Sequence, residues 1–567
     1  MPSVPPPSEA LRAAAAAWVA DDPDPRTRAE VEGLLAAGDG PALAERFESR
    51  LEFGTAGLRG KLGAGPNRMN RALVQRAAAG LARYLHARGG GAGGVVIGYD
   101  ARHQSDEFAV DTAAVMAGAG ITAYLLPHPL PTPVLAYAIR YLNADAGVMV
   151  TASHNPPEYN GYKVYLGDGA QIIPPTDQEI SAQIESVRSL RDVPLAPAGD
   201  PRIVVTDERV VDHYLSEALA QSLAPAARDL NIVYTAMHGV GGAIATRLLH
   251  EAGFRQVDVV RPQFDPDPDF PTVAFPNPEE PGALDLSVAE ARRSHADLVL
   301  ANDPDADRLG VGVPLGPGGK DWRGLSGDEI GVLLADHILS HTSGDERLVV
   351  TSIVSSTMLS RMAAAAGVHF IETLTGFKWL ARAVDSHPGW RFVFGYEEAL
   401  GYCAGTMVRD KDGITAALLF AELVAALKAE GRSVFDRLDD LACAYGAHAT
   451  QQWSSLLTGA DGPARIRDVV HQLRTDPPAE LDGWPVTKVV DLQDPESGLP
   501  PTDGIILYLG DRVRIIVRPS GTEPKIKVYF EVVTPVCEDN VAEARARGAA
   551  TVARLKQAMA TITGLPT

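Results

Sequence analysis

Cysteine is nearly absent from this chain. Three residues in 567, Cys403, Cys443 and Cys537, are too few and too scattered for a disulfide frame or a zinc site. A reducing cytoplasm is the simplest setting. No stretch is long and apolar enough to span a bilayer. The start, Met1-Pro2-Ser3, lacks a basic segment. The alanine run after Leu11 is broken by Trp18 and ends at Asp21-Asp22, so it reads as a helix and not as a signal peptide. Positive charge is in deficit: 51 Lys and Arg against 72 Asp and Glu give a net charge of −21, which argues against nucleic acid or an anionic membrane as partner. Gly89 to Gly94 is glycine-rich but has no following Lys-Ser/Thr, so it is not a P-loop. A nucleophile elbow, Gly-x-Ser-x-Gly, is missing around Ser153.

The chain is too long for one core, and its length suggests about four domains. Its first fifty residues read as three helical pieces. Asp24-Pro25 opens one and Gly38 stands where it would end. Apolar strands and amphipathic helices then alternate. Val95 to Gly98 leads to a helix around Phe108 to Met116, Ile232 to Tyr234 to a helix from Ala243, and Val349 to Ser352 to a helix around Met358 to Ala365. This is an α/β pattern repeated three times. The last hundred residues differ, with alternating strands around a loop and a closing helix from Ala542, which suggests an α+β module. The expected domains are 1–205, 206–325, 326–445 and 446–567. The glycines after His238 suit tight strand-to-helix packing.

Four segments carry the chemistry. Thr151-Ala152-Ser153-His154-Asn155-Pro156 follows the apolar run Ala146 to Val150, so Ser153 stands just past a strand end. A hydroxyl there either caps a turn or exchanges a phosphoryl group. Asp303-Pro304-Asp305-Ala306-Asp307-Arg308 follows a second short strand. Its carboxylates can converge in a loop and would then need a cation such as Mg²⁺, or they form a solvated acidic turn. Arg518-Pro519-Ser520-Gly521-Thr522-Glu523-Pro524 joins two alternating strands. It is either an ordinary hairpin connection or an anion-binding loop. Gly395-Tyr396-Glu397-Glu398-Ala399-Leu400-Gly401 offers paired carboxylates to sugar hydroxyls, or an acid-rich helix N-terminus.

In this order the four segments resemble the α-D-phosphohexomutase family of phosphoglucomutases and phosphomannomutases, over about Leu51 to Tyr529. Trp18, Asp22-Pro23 and Thr27-Arg28 are similar to the extension of the branch that holds bacterial phosphoglucomutases and phosphopentomutase-like enzymes. The resemblance implies three related α/β domains with mixed sheets and a C-terminal α+β domain around a central cleft. It implies a cytoplasmic enzyme that moves a phosphoryl group between the 1- and 6-positions of a hexose. Phosphorylated Ser153 would donate to the sugar and form a bisphosphorylated sugar such as glucose 1,6-bisphosphate, which also serves as activator. Mg²⁺ would be held by Ser153, Asp303, Asp305 and Asp307. Arg59 would stand near the transferring phosphoryl, with Lys163 and His154 as candidate acid/base groups. A crowded cationic site is expected to lower Lys163 toward neutrality. Arg308, Thr375, Gly376, Lys378, Glu397, Glu398 and Lys411 would bind substrate, with Lys411 on the non-reacting phosphate. Arg518, Ser520, Gly521 and Thr522 would bind phosphate. The only partner implied is a phosphorylated sugar, and the oligomeric state stays open between monomer and dimer.

One residue departs from the hexose-specific pattern. Ala399 stands where many such members have serine, and the phosphopentomutase-like branch also has alanine there. Ribose or deoxyribose phosphate, mannose phosphate and bisphosphate synthesis therefore remain alternatives.

Overall fold

A computed structural model describes residues 6–54, 56–316, 319–457, 461–519, 525–536 and 540–566. Backbone packing divides the chain into two units. Unit 1 comprises Met1–Gly327, Phe377–Arg382 and Ala399–Ala426, and unit 2 comprises Asp328–Gly376, Ala383–Glu398 and Leu427–Thr567.

Unit 1 starts with helices α1 (Glu9–Asp21), α2 (Pro25–Ala37) and α3 (Gly40–Phe47). The Asp24 side chain accepts from the Arg26 N–H, Pro25 takes the first turn, and Gly38 closes α2 at φ 65°, as its sequence signals require. Leu11, Ala15, Val31 and Leu43 form a small core, and Trp18 joins it to the apolar core of the next module.

That module is a six-stranded mixed sheet. Its strands are β1 (Leu58–Lys61), β2 (Val95–Tyr99), β3 (Ala123–Leu125), β4 (Ala146–Val150), β5 (Tyr159–Leu166) and β6 (Ile203–Val205), in the order β1-β5-β4-β2-β3-β6. The β4-β2-β3-β6 stretch is parallel, β5 is antiparallel to β4, and β1 is antiparallel to β5. Every residue of β4 is buried, which is why it reads as an unbroken apolar run without alternation. The second sheet holds β7 (Asn231–Thr235), β8 (Gln256–Val259), β9 (Leu298–Asn302), β10 (Leu309–Pro314) and β11 (Trp322–Gly324), in the order β11-β10-β9-β7-β8. Here β9 and β10 are antiparallel neighbours, with Leu309 opposite Asn302. Residues 303–308 therefore form the reversal between them.

In unit 2, β12 (Arg347–Ser352) lies between β13 (His369–Thr373) and β14 (Arg391–Glu397), all parallel. Strand β15 (Gly401–Ala404) falls in unit 1, where Gly401 bridges to Arg308. Unit 2 ends in an antiparallel sheet of β16 (Ala447–Leu456), β17 (Glu480–Leu481), β18 (Trp484–Asp491), β19 (Ile505–Leu509), β20 (Val513–Pro519) and β21 (Lys525–Thr534), ordered β16-β21-β20-β19-β18-β17. Helices Gly462–Thr475 and Val541–Thr563 cover its core. No helix among the described residues is long and apolar enough to cross a membrane.

Two sequence expectations change. Glu397 ends β14 and Glu398 follows it, so the paired glutamates do not open a helix. The glycines after His238 pack on a loop as well as beside a helix. A Cβ on Gly239 would stand 2.3 Å from Pro304 Cα, and the Val240 N–H donates to the Pro304 carbonyl at 2.8 Å. This turn supports the aspartate loop.

Candidate active site

Ser153 stands three residues past β4 at φ 51°, a conformation that bulky residues rarely adopt. The loop is held from the next strand. Thr151 Oγ1 donates to Asp100 at 2.6 Å and accepts from the Ser153 N–H at 2.8 Å. The buried Arg102 guanidinium donates to the carbonyls of Ser153, Asn155, Pro156 and Tyr159. Asp100 and Arg102 directly follow β2, so two adjacent parallel strands fix the serine. Neither was singled out from sequence, although Asp-x-Arg at a strand end is a usable signal.

The loop after β9 brings Asp303, Asp305 and Asp307 together. All three are buried, and one carboxylate oxygen from each lies within 4.8 Å of the others. Ala306, at φ 54°, turns the chain so that residues two apart converge. The acidic turn is therefore not solvated. Ser153 Oγ donates to Asp303 Oδ2 at 2.8 Å, and the Arg308 N–H donates to Asp303 Oδ1 at 3.0 Å. Asp305 Oδ2 accepts from Thr132 Oγ1 at 2.6 Å and Lys163 Nζ at 2.8 Å. Asp307 Oδ2 lies 3.1 Å from Lys163 Nζ and 3.0 Å from Lys411 Nζ. The Oδ1 atoms of Asp305 and Asp307 are buried and have no hydrogen-bond partner among the described residues. Nothing in the sequence pointed to Thr132.

Charge in this cluster is uneven. Burial, then repulsion from Asp305 and Asp307, pushes the Asp303 carboxyl well above its usual range. Burial also acts to raise Asp305, but the Lys163 ammonium and its hydrogen bond outweigh it and hold Asp305 low. A buried trio with one member driven toward its neutral form, and with two unpartnered oxygens, suits a hard divalent cation. The residues present fit Mg²⁺.

The basic residues gather in the same unit. Arg59 donates to Asn155 Oδ1 at 3.2 Å, and burial, countered in part by the Asp305 charge, lowers it below its usual range. Arg308 sits 3.9 Å from Glu279, and its neighbouring Asp303 and Asp307 charges outweigh burial and hold it charged. Lys163 corrects an expectation. Burial would lower it, but the flanking Asp305 and Asp307 carboxylates raise it instead, so it is an ammonium and not a near-neutral amine. Lys411 joins the same cluster, with its Nζ at 3.0 Å from Asp307 Oδ2 and 3.4 Å from Asp410 Oδ1. His154 Nδ1 lies 3.3 Å from Ser153 Oγ. Burial, then the Arg308 and Arg59 charges, hold it well below its usual range, so it is a neutral imidazole.

Thr375, Gly376, Glu397, Glu398 and Arg518 belong to unit 2, whereas Lys378 belongs to unit 1 on the short helix Phe377–Leu380. Glu397 Oε1 accepts from the Gly376 N–H at 2.6 Å, and Arg518 donates to Thr375 Oγ1. Strands β20 and β21 are antiparallel neighbours on either side of the expected phosphate loop. Ser520, Gly521 and Thr522 lie outside the described residues.

Four family models match the chain in order. They are phosphoglucomutase/phosphomannomutase α/β/α domain I over residues 50–191, domain II over 212–316, domain III over 326–445 and the C-terminal domain over 477–548. The chain is 45% identical over 471 residues to a probable phosphomannomutase of Haemophilus influenzae, covering 82% of this chain and 93% of the relative. It is 37% identical over 515 residues to a phosphoglucomutase of Staphylococcus aureus, covering 87% and 92%. To a probable phosphoribomutase of Schizosaccharomyces pombe it is 38% identical over 568 residues, covering 93% and 94%. Fold and relatives together define a four-domain α/β isomerase that works by phosphoryl transfer. The chain belongs to the phosphoglucomutase/phosphomannomutase family, within the α-D-phosphohexomutase superfamily.

Proposed function

We propose that this phosphohexose mutase interconverts glucose 1-phosphate and glucose 6-phosphate through a phosphoserine at Ser153 and a bisphosphorylated sugar, in the cytoplasm. The observation that carries the reading is the Ser153 hydroxyl, 2.8 Å from Asp303 in a buried carboxylate trio with two unpartnered oxygens. Asp303, Asp305, Asp307 and the serine oxygen would hold Mg²⁺, which supplies charge stabilisation for phosphoryl transfer.

The chain's own groups then divide the work. The sugar hydroxyl attacks phosphorus, its O–P bond forms as the Ser153 O–P bond breaks, and the hydroxyl proton passes to a base. His154 suits that role because it is neutral and beside Ser153 Oγ. Lys163, held as an ammonium, suits charge stabilisation, and so do Arg59, Arg308 and Lys411. After the intermediate turns over, the other phosphoryl returns to Ser153. Glu397 and Glu398 would read sugar hydroxyls, Thr375, Gly376 and Lys378 would bind substrate, Lys411 would help hold the non-reacting phosphate, and Arg518 with Ser520, Gly521 and Thr522 would bind phosphate. In this reading the four domains run close to 1–205, 206–325, 326–445 and 446–567.

A pentose substrate is the second reading. It is favoured by Ala399 and by the likeness to a probable phosphoribomutase. One assay decides between them: purified protein on glucose, mannose and ribose 1-phosphates, with Mg²⁺ and a trace of the matching bisphosphate. Glucose 6-phosphate formation at the highest specificity constant is expected. Phosphate release without isomer would instead mark a phosphatase.

A further inference from the structure

Arg514 is buried within unit 2 and belongs to none of the segments that the proposed function uses. It sits on β20, four residues before Arg518 and on the same face of the strand. Its guanidinium donates to Glu372 Oε1 at 2.7 Å and to the Ser355 carbonyl at 2.6 Å, and lies 3.1 Å from Glu531 Oε2. Glu531 is its cross-strand partner on β21, and Glu372 is on β13, three residues before Thr375. Two arginines on one strand thus hold one segment. Arg514 holds it at residue 372 and Arg518 at Thr375 Oγ1.

Ser355 makes the second connection. Its carbonyl takes Arg514, while its hydroxyl donates to Glu398 Oε2 at 3.1 Å and accepts from the Glu398 N–H at 3.1 Å. Ser352 Oγ lies 2.9 Å from the same hydroxyl. A continuous chain of contacts therefore runs from Glu398 through Ser355 and Arg514 to the strand that carries Arg518.

We infer that Arg514 and Ser355 are positioning residues that set the spacing between the glutamates that read sugar hydroxyls and the arginine that holds phosphate, and so tune which sugar is accepted. The inference rests on the mutase reading. A pentose 1-phosphate is one carbon shorter than a hexose 1-phosphate between its phosphate and its distal hydroxyl, so this spacing separates the two substrates. A planar guanidinium with fixed donors holds such a distance better than a lysine ammonium does. Small displacements of positioned groups have large kinetic effects.

The test compares wild type with Arg514→Lys and Ser355→Ala. It measures kcat and KM on the two best-used of glucose, mannose and ribose 1-phosphates, and the melting temperature. Arg514→Lys is expected to raise KM for the preferred sugar about tenfold, to leave kcat within about threefold, and to compress the ratio of specificity constants about fivefold. Ser355→Ala should act in the same direction by a smaller factor, and it deletes only a hydroxyl, so it carries the test if Arg514→Lys does not fold. A merely structural fastener would lower the melting temperature and leave the ratio unmoved. That result, in an active wild type, overturns this inference alone. A wild type that turns over none of the sugars overturns the mutase reading and this inference with it.

Discussion

Under the proposed function, the hydroxyl that Ala399 lacks would bear on the choice of sugar. A single neutral hydrogen bond is worth on the order of 1 kcal/mol, so Ala399→Ser should shift the ratio of hexose to pentose specificity constants toward hexose by about tenfold or less. Paired assays on glucose and ribose 1-phosphates check this, and an unmoved ratio means the sugar is read elsewhere. Asp305 carries the second residue-scale prediction. Asp305→Asn keeps the shape and the Thr132 contact but removes one charge from the trio. The Mg²⁺ concentration for half-maximal activity should rise at least about tenfold. Titrating Mg²⁺ into both chelator-treated proteins tests it, and identical curves would remove Asp305 from the metal site. Ser153 and the aspartates were legible in the sequence because each motif sits at a strand end. The carboxylates beside Lys163 and the Asp307 carboxylate beside Lys411 were not, because they lie 142, 144 and 104 positions away in the chain. Long-range contacts of that kind leave no local pattern.

Elements place these side chains through close backbone approach. Gly239 has no room for a methyl group, since an added Cβ would meet the Pro304 backbone. Gly239→Ala should therefore displace the aspartate loop, at about 1–3 kcal/mol of stability, and lower turnover more than tenfold. A melting curve and a rate measurement check both parts, and a variant with wild-type values would show that the turn does not support the loop. Asp328, at the start of helix Gly327–His341, gives a pH prediction. Burial raises its carboxyl to about 6, although it accepts from the Ser356 N–H, Tyr396 and Thr450. A raised carboxyl is satisfied below its unfolded value and is progressively destabilising as pH climbs through about 6. Asp328→Asn should thus gain on wild type between pH 4 and pH 7, by on the order of 2 kcal/mol. Melting temperatures across that range test it, and a constant difference contradicts it. Most elements were readable from periodicity. Helix Gly462–Thr475 was not placed in advance, although Ile466, Val469, Val470 and Leu473 keep helical spacing. The polar and basic residues between them dilute that stripe.

For the whole molecule, the difficulty posed by composition is that a chain of net charge −21 must bind an anionic sugar phosphate. Unit 1 answers it locally by setting Arg59, Lys163, Arg308 and Lys411 around the carboxylate trio. The four-module order was legible because four short motifs fall in sequence along the chain. The assignment of 377–382 and 399–426 to unit 1 was not, because packing of distant segments sets it. The central claim is that Ser153 carries the phosphoryl group in turnover. It is tested most directly by incubating wild type and Ser153→Ala with glucose 1,6-bisphosphate, mapping phosphate by peptide mass, and measuring mutase rates on the same samples. The account predicts one phosphoryl group on Ser153 in wild type, none in the variant, and loss of turnover with an unchanged melting temperature. Phosphate mapped only to another residue, or substantial turnover in Ser153→Ala, would contradict it.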